Sequence, residues 1–151
     1  YVVLGSGEWQ YESFFRELHD KYPDKVGVTI GFIPDLARKI YAGADLFLMP
    51  SKSEPCGLSQ MVALRYGTVP IVRETGGLKD SITDSGDGEG NGFTFQTYDA
   101  YDMLGAIYRG VEAYNNKDYW PTLVERALNC DMSWGKSANE YIKMYKSLLK
   151  D

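Results

Sequence analysis

Short apolar runs alternate with amphipathic stretches along this chain. The runs at residues 1–4, 26–30 and 46–49 are each followed by apolar residues at helical spacing, and a further run at residues 69–72 continues the series. Strands that alternate with helices in this way form βαβ units, whose strands lie parallel and whose helices cover the sheet. The pattern therefore predicts an α/β fold, a Rossmann-like parallel sheet flanked by helices.

The same periodicity places the remaining elements. Helices between the strands are predicted at residues 11–21, 34–43 and 58–66. The chain then predicts a turn opening a short helix at residues 75–80, a loop at residues 84–91, a short strand at residues 92–95 and three helices. These begin after the N-cap candidate Asp99, at residues 119–128 and at residues 133–149. The abundant tyrosines lie mostly at helical core spacing, which predicts packing rather than sugar stacking.

Length and charge exclude several function classes. A chain of 151 residues with 44% apolar content fits one domain with a single core. The net charge is −5 and the basic residues are scattered, which argues against a nucleic-acid or anionic-membrane partner. No apolar run approaches the roughly 18 residues of a membrane span. The chain begins without Met inside a predicted strand, so we expect a domain of a longer protein.

The two cysteines, Cys56 and Cys130, argue for a reducing compartment and against a metal site. They occur without a CxxC motif and without the Cys/His spacing of a zinc site. A disulfide scaffold uses more cysteines than this chain has. We therefore expect a cytoplasmic protein with reduced thiols and no metal.

The segment at residues 50–60 is the strongest functional signal. It joins a buried strand to a helix, and Glu54 is followed directly by Pro55, Cys56 and Gly57. A carboxylate on such a constrained turn is aimed, and glycine lets a ligand approach the backbone. The N–H groups of Gly57, Leu58 and Ser59 at the helix start would favour an anion. The alternative is an ordinary helix start in which the acid only complements the helix dipole.

Three weaker signals each carry two interpretations. Cys56 fits a small buried hydrophobe, and without a nearby His a nucleophilic role is the less favoured interpretation. The turn Gly5-Ser6-Gly7 lacks the third glycine of the dinucleotide fingerprint, because Gln10 occupies that position. It suits either the approach of a phosphate or ribose or a tight connection. Phe32, just past a strand end, could stack on a flat base or cap the core.

Taken together, the motifs resemble those of a known enzyme family. They match, in register, the carboxyl-terminal domain of bacterial glycogen synthases and plant starch synthases, and the short spacings favour the bacterial type. The matching segments are Leu4-Gly5-Ser6-Gly7, Gly31-Phe32, residues 42–51, Glu54-Pro55-Cys56-Gly57-Leu58-Ser59-Gln60, residues 64–73, Thr75-Gly76-Gly77-Leu78, Asp80 and Ser133-Trp134.

This resemblance implies a retaining glucosyltransferase with two Rossmann domains, the GT-B arrangement. Such an enzyme transfers glucose from ADP-glucose to the nonreducing end of an α-1,4-glucan, without a metal or a cofactor. The chain would be its donor-binding domain, spanning residues 1–151 and ending in a long helix at about residues 133–149. The amino-terminal domain that faces the acceptor, and the basic pair that grips the diphosphate, would lie upstream of Tyr1. We therefore expect the isolated chain to be inactive.

The resemblance also implies roles for individual residues. Glu54 is the catalytic candidate and would hydrogen-bond hydroxyls of the donor glucose, with help from Cys56 and the N–H of Gly57. Leu58 and Ser59 would meet the diphosphate.

On the nucleotide side, Phe32 stands where the family places an aromatic residue near the adenine. Gly5, Ser6 and Gly7 would border the nucleotide. A non-catalytic glucan-binding module and a transferase using another nucleotide sugar are the two alternatives.

Overall fold

A computed structural model describes residues 1–149, except for the side chain at position 87. By its internal contacts the chain divides into two compact units, Tyr1–Ala44 and Asp45–Asp151. Both units combine parallel strands with helices, which confirms the predicted α/β class. The expectation of a single donor-binding domain stays a prediction.

The first unit is a pair of strand-helix repeats. Its two strands run parallel, with Val2 opposite Gly27 and Gly5 opposite Ile30. The helix after the first strand begins two residues earlier than the periodicity predicted, because the carbonyl of Glu8 accepts the N–H groups of Tyr11 and Glu12. The elements are β1 Val2–Gly5, α1 Trp9–Lys21, β2 Gly27–Ile30 and α2 Pro34–Gly43.

The second unit carries a three-stranded parallel sheet in the order β3-β4-β5. The central strand is buried along most of its length, as expected for a parallel strand with helices on both faces. The elements are β3 Leu46–Met49, α3 Ser59–Tyr66, β4 Val69–Arg73, α4 Gly77–Ser81, a 3₁₀ turn Ser85–Asp87, β5 Phe93–Phe95, α5 Ala100–Asn115, α6 Trp120–Leu128 and α7 Trp134–Leu148.

Two buried clusters on the sheet form the core of this unit. The first contains Ile71, Phe93 and Leu123, and the second contains Leu64 and Leu78. Successive residues of β4 point into different clusters, since Ile71 belongs to the first and Val72 to the second. The two clusters thereby hold helices on both faces of the sheet. The loops that could carry a site follow the strand ends.

Most element bounds lie within two residues of the prediction, and one cap is confirmed in detail. The Asp99 carboxylate accepts the N–H groups of Tyr101 and Asp102 at 2.8 and 3.2 Å, so it caps α5. No helix among residues 1–149 is both long and apolar enough to cross a membrane.

The prediction that the tyrosines serve packing is wrong for most of them. Tyr101 and Tyr108 of α5 are 84% and 66% exposed, and Tyr141 and Tyr145 of α7 are also exposed. Helical spacing creates an apolar stripe but does not say whether another element covers it. None of the α7 residues within Trp134–Leu148 is buried.

Asp84 fastens the loop before β5 to the sheet. Its carboxylate accepts two hydrogen bonds from the Arg109 guanidinium, at 2.6 and 2.7 Å, and one from the N–H of Thr94 at 2.7 Å. A further bond from the N–H of Gly86 closes the turn. Burial by itself would raise the pKa of Asp84, but these hydrogen bonds and the Arg109 charge outweigh it and hold that pKa below its usual value.

Replacing this carboxylate should weaken the second unit in a pH-dependent way. Asp84→Asn should lower the free energy of unfolding at neutral pH by about 1–2 kcal/mol, less than for a fully buried pair because Arg109 is partly exposed. The folded-state pKa lies below the unfolded one, so the contribution is complete above the ordinary value of 3.8 and is lost as pH falls through the folded pKa. Urea denaturation of both proteins across this acidic window should show their stabilities converging.

The exposed Glu125→Gln, which also removes one negative charge from this unit, is the matched control and should leave stability nearly unchanged. A stability difference between wild type and Asp84→Asn that stays constant into strong acid would contradict the role assigned to Asp84.

Candidate functional site

The carboxyl edge of the β3-β4-β5 sheet gathers three loops. Because the strands are parallel, the loops after Met49, Arg73 and Phe95 leave the sheet on the same side. In open parallel sheets, ligands bind outside this edge. The first of these loops carries the candidates Glu54 to Ser59. We call residues 51–58 the Glu54 turn; Ser59 is the first residue of α3.

The Glu54 turn ends in a glycine whose backbone requires that residue type. Gly57 is buried with φ of +73°, a conformation that other residues rarely adopt. Leu58 then occupies the N-cap position of α3, and its side chain accepts no hydrogen bond there. The first N–H groups of α3 therefore lack the side-chain acceptor that usually caps a helix, which leaves them suited to an anion.

The glycine pair after β4 packs directly against the backbone of the Glu54 turn. The N–H of Gly77 donates to the carbonyl of Glu54 at 3.2 Å. A Cβ atom at Gly76 would overlap the carbonyl oxygen of Glu54, and one at Gly77 would overlap that of Cys56. The sequence predicted a turn at these glycines but not the main chain that they touch.

Gln60 ties the other side of the same turn to α4. Its fully buried side chain donates from Nε2 to the carbonyl of Gly57 at 2.8 Å and to the hydroxyl of Ser81 at 3.0 Å. Ser81 in turn donates to the carbonyl of Gly77 at 2.7 Å. Sequence reasoning missed this role. The signal that could have shown it is that Gln60 precedes Ala63 and Leu64 by three and four residues, which places a polar side chain on the apolar face of α3.

The side chains of the turn itself are accessible to a ligand. Glu54 and Ser59 are half-buried, and Leu58 is 68% exposed. Cys56 is exposed, so its interpretation as a buried hydrophobe is wrong. The fold therefore presents the carboxylate, the thiol and the start of α3 together on one accessible edge.

In the first unit, the nucleotide-side candidates meet at the corresponding edge of the β1-β2 sheet. The N–H of Gly31 donates to the carbonyl of Gly5 at 2.8 Å, so the loops that carry Gly7 and Phe32 leave adjacent strand ends. A Cβ atom at Gly5 or Gly7 would meet nothing within 4 Å, so packing does not require glycine there. Ser6 is exposed.

Phe32 is 90% exposed. Its interpretation as a cap on the core is therefore wrong, and stacking on a flat base stays a prediction. Among the residues that the structure describes, no group of three or more His, Cys, Asp or Glu side chains is placed to hold a metal ion.

Comparison with known proteins gives concordant matches. The family described as "Glycosyl transferases group 1" matches residues 1–120. A glycogen synthase from Geobacillus thermodenitrificans is 56% identical over 151 residues, which cover 99% of this chain and 31% of that protein. A glycogen synthase from Bacillus cereus is 54% identical over 151 residues, 99% of this chain and 32% of that protein. The chain thus spans about a third of the length of these relatives.

Among solved structures, the catalytic domain of starch synthase IV from Arabidopsis thaliana, bound to ADP and acarbose, matches with a TM-score of 0.85. It is 38% identical, over 97% of this chain and 31% of that one. Sucrose-phosphate synthase from Thermosynechococcus elongatus matches with a TM-score of 0.65 at 22% identity, over 98% of this chain and 38% of that one. The second likeness concerns the fold alone, which is that of the GT-B glycosyltransferases.

The contact of the glycine pair with the Glu54 turn generates a test. Gly77→Ala should lower the free energy of unfolding by about 2 kcal/mol or more, because its Cβ cannot coexist with the Cys56 carbonyl unless the turn moves. Gly105→Ala is the control, since a Cβ there, within α5, meets nothing within 4 Å. This control should gain up to about 1 kcal/mol from helix propensity. Equal effects in chemical denaturation would contradict the contact.

Proposed function

We propose that this chain, since it belongs to the glycosyl transferases group 1 family, is the donor-binding domain of a glycogen or starch synthase. The whole enzyme would transfer glucose from ADP-glucose to the nonreducing end of an α-1,4-glucan with retention. The identity of 54% to a bacterial glycogen synthase along 99% of the chain supports this assignment. The acceptor would be held by an amino-terminal domain, and the isolated chain would be inactive.

The observation that carries the proposal is the Glu54 turn, an accessible carboxylate next to an uncapped helix start. Glu54 would accept hydrogen bonds from hydroxyls of the donor glucose, while the N–H of Gly57 and the Cys56 side chain contact the same sugar. The N–H groups of Leu58 and Ser59 would meet the diphosphate. When the glycosidic bond to the diphosphate breaks, the leaving group gains negative charge, and fixed N–H dipoles stabilise that change without reorganising.

In the first unit, the exposed Phe32 ring would stack on the adenine. The turn Gly5-Ser6-Gly7, where added side chains would find open space, would border the nucleotide. ADP-glucose is a substrate in this proposal, and no metal or cofactor takes part. The free thiols Cys56 and Cys130 favour a cytoplasmic enzyme. The high identity to glycogen synthases from Bacillus and Geobacillus favours the bacterial type.

Ligand titration of the isolated chain tests donor binding. We expect ADP and ADP-glucose to shift the amide resonances of the Glu54 turn and of Phe32 at millimolar concentration, with weak affinity because the basic pair would lie upstream. UDP-glucose is the control for the base and should shift the Phe32 resonance less. If millimolar ADP and ADP-glucose leave both regions unchanged, donor binding by this chain is ruled out.

The full-length enzyme tests the role of Glu54. Glu54→Gln keeps the size of the side chain but removes the charge that orients the donor glucose, so kcat should fall by about a hundredfold or more. The dissociation constant for ADP, which has no glucose, should change by less than about threefold. Steady-state transfer to a glycogen primer and calorimetric ADP titration provide the two numbers. Equal losses in both would contradict the proposed role.

A further inference from the structure

Arg73, the last residue of β4, reaches across the carboxyl edge of the sheet. Its Nε donates to the carbonyl of Ser51 at 2.9 Å, and its Nη2 donates to the carbonyl of Lys52. Both carbonyls belong to the loop that leads from β3 to Glu54. Its Nη1 donates to the carbonyl of Gln96, which follows β5, at 3.4 Å. One guanidinium therefore joins the ends of all three strands.

The guanidinium is anchored on main-chain oxygens. Each of its three nitrogens already donates to a main-chain carbonyl. Its carbon also lies 5.8 Å from the centroid of the Tyr98 ring, within cation–π range, which restrains the plane of the group. A planar fork of this kind is specific to arginine, because a lysine ammonium is a point charge that cannot reach three separated acceptors in one geometry.

The Glu54 turn is thus held on both sides. Gln60 and the glycine pair fix the backbone at and after Glu54, as described above. Arg73 fixes the backbone before it, at Ser51 and Lys52. Without Arg73 the four residues between Met49 and Glu54 would lose these side-chain bonds to the sheet.

We propose that Arg73 is a positioning residue that sets the direction of the Glu54 carboxylate by clamping the Ser51 and Lys52 carbonyls. This inference rests on the proposed function, since it concerns the residue that orients the donor glucose. Arg73 acts through Glu54 and touches neither the sugar nor the diphosphate. A displacement of about 1 Å at a reacting group can cost a hundredfold in rate, so a loosened turn has a measurable cost.

The test uses the full-length enzyme with Arg73→Lys, Glu54→Gln and the double variant. Arg73→Lys keeps the positive charge but not the fork, so kcat for transfer from ADP-glucose should fall about tenfold or more. The dissociation constant for ADP should change by less than about threefold. Because both residues act through one carboxylate, the double variant should be no more than about twofold slower than Glu54→Gln alone.

A second readout does not depend on activity. Hydrogen–deuterium exchange of residues 50–60 should increase in Arg73→Lys, because the loop has lost its clamp. Arg109→Lys is the matched control: it loosens the Asp84 pair in the same unit, away from the Glu54 turn. It should lower Tm but leave both the exchange of residues 50–60 and the kcat of the folded protein unchanged.

Tyr98→Leu provides a milder variant should Arg73→Lys fail to fold, since Tyr98 is exposed and Arg73 is retained. It should show the same pattern with smaller changes. The proposal is overturned if exchange of residues 50–60 stays at the wild-type level, if ADP affinity falls as much as kcat, or if the two losses multiply in the double variant. If the wild-type enzyme transfers no glucose, the proposed function fails, and the exchange result alone then decides whether Arg73 clamps the turn.

Discussion

The contact of the Gly76-Gly77 main chain with the main chain of the Glu54 turn fixes the loop that carries the candidate site. Gly76 and Gly77 lie so close to the carbonyls of Glu54 and Cys56 that no side chain fits between them. Such an approach leaves the loop after β3 little freedom, because moving it would break the hydrogen bond from Gly77 to Glu54 and expose buried polar groups. This packing holds the main chain at Glu54, from which the carboxylate projects.

Side chains outside the turn complete its support. The Gln60 amide donates hydrogen bonds to a main-chain carbonyl and to a hydroxyl. The Arg73 guanidinium donates to carbonyls of the loops after β3 and β5. The buried Gln60 amide is costly to lose, because the Gly57 carbonyl would be left without this donor. The backbone of the Glu54 turn is therefore held by hydrogen bonds from Gln60 and Arg73.

The sequence predicted some parts of this arrangement well. Leu46–Met49 was placed as a strand and is one, because a short apolar run between turn signals has few other solutions in an alternating pattern. Asp99 was placed as a helix cap, since capping depends only on neighbouring residues. The Glu54 turn was recognised from its own residues for the same reason.

Other parts depended on partners distant in sequence. The exposed tyrosines of α5 and α7 show that helical spacing cannot tell which stripe is covered. Asp84 looked like one acid in a polar loop, yet Arg109 and Thr94, 25 and 10 residues away, make it the anchor of β5. Cys56 is exposed, although a free cysteine is usually buried, because the loop places it at the edge of the sheet.

By itself, then, the sequence determined the order of strands and helices, the Asp99 cap and the position of the Glu54 turn. Each of these follows from periodicity or from backbone conformation within a few residues. Only the tertiary structure decided that Gly76 and Gly77 abut Glu54 and Cys56, that Gln60 reaches Ser81, and that Arg73 of β4 binds the loops after β3 and β5. The reason is physical: hydrogen bonds and van der Waals exclusion act between neighbours in space, and those neighbours are set when the parallel strands bring their carboxyl ends to one edge.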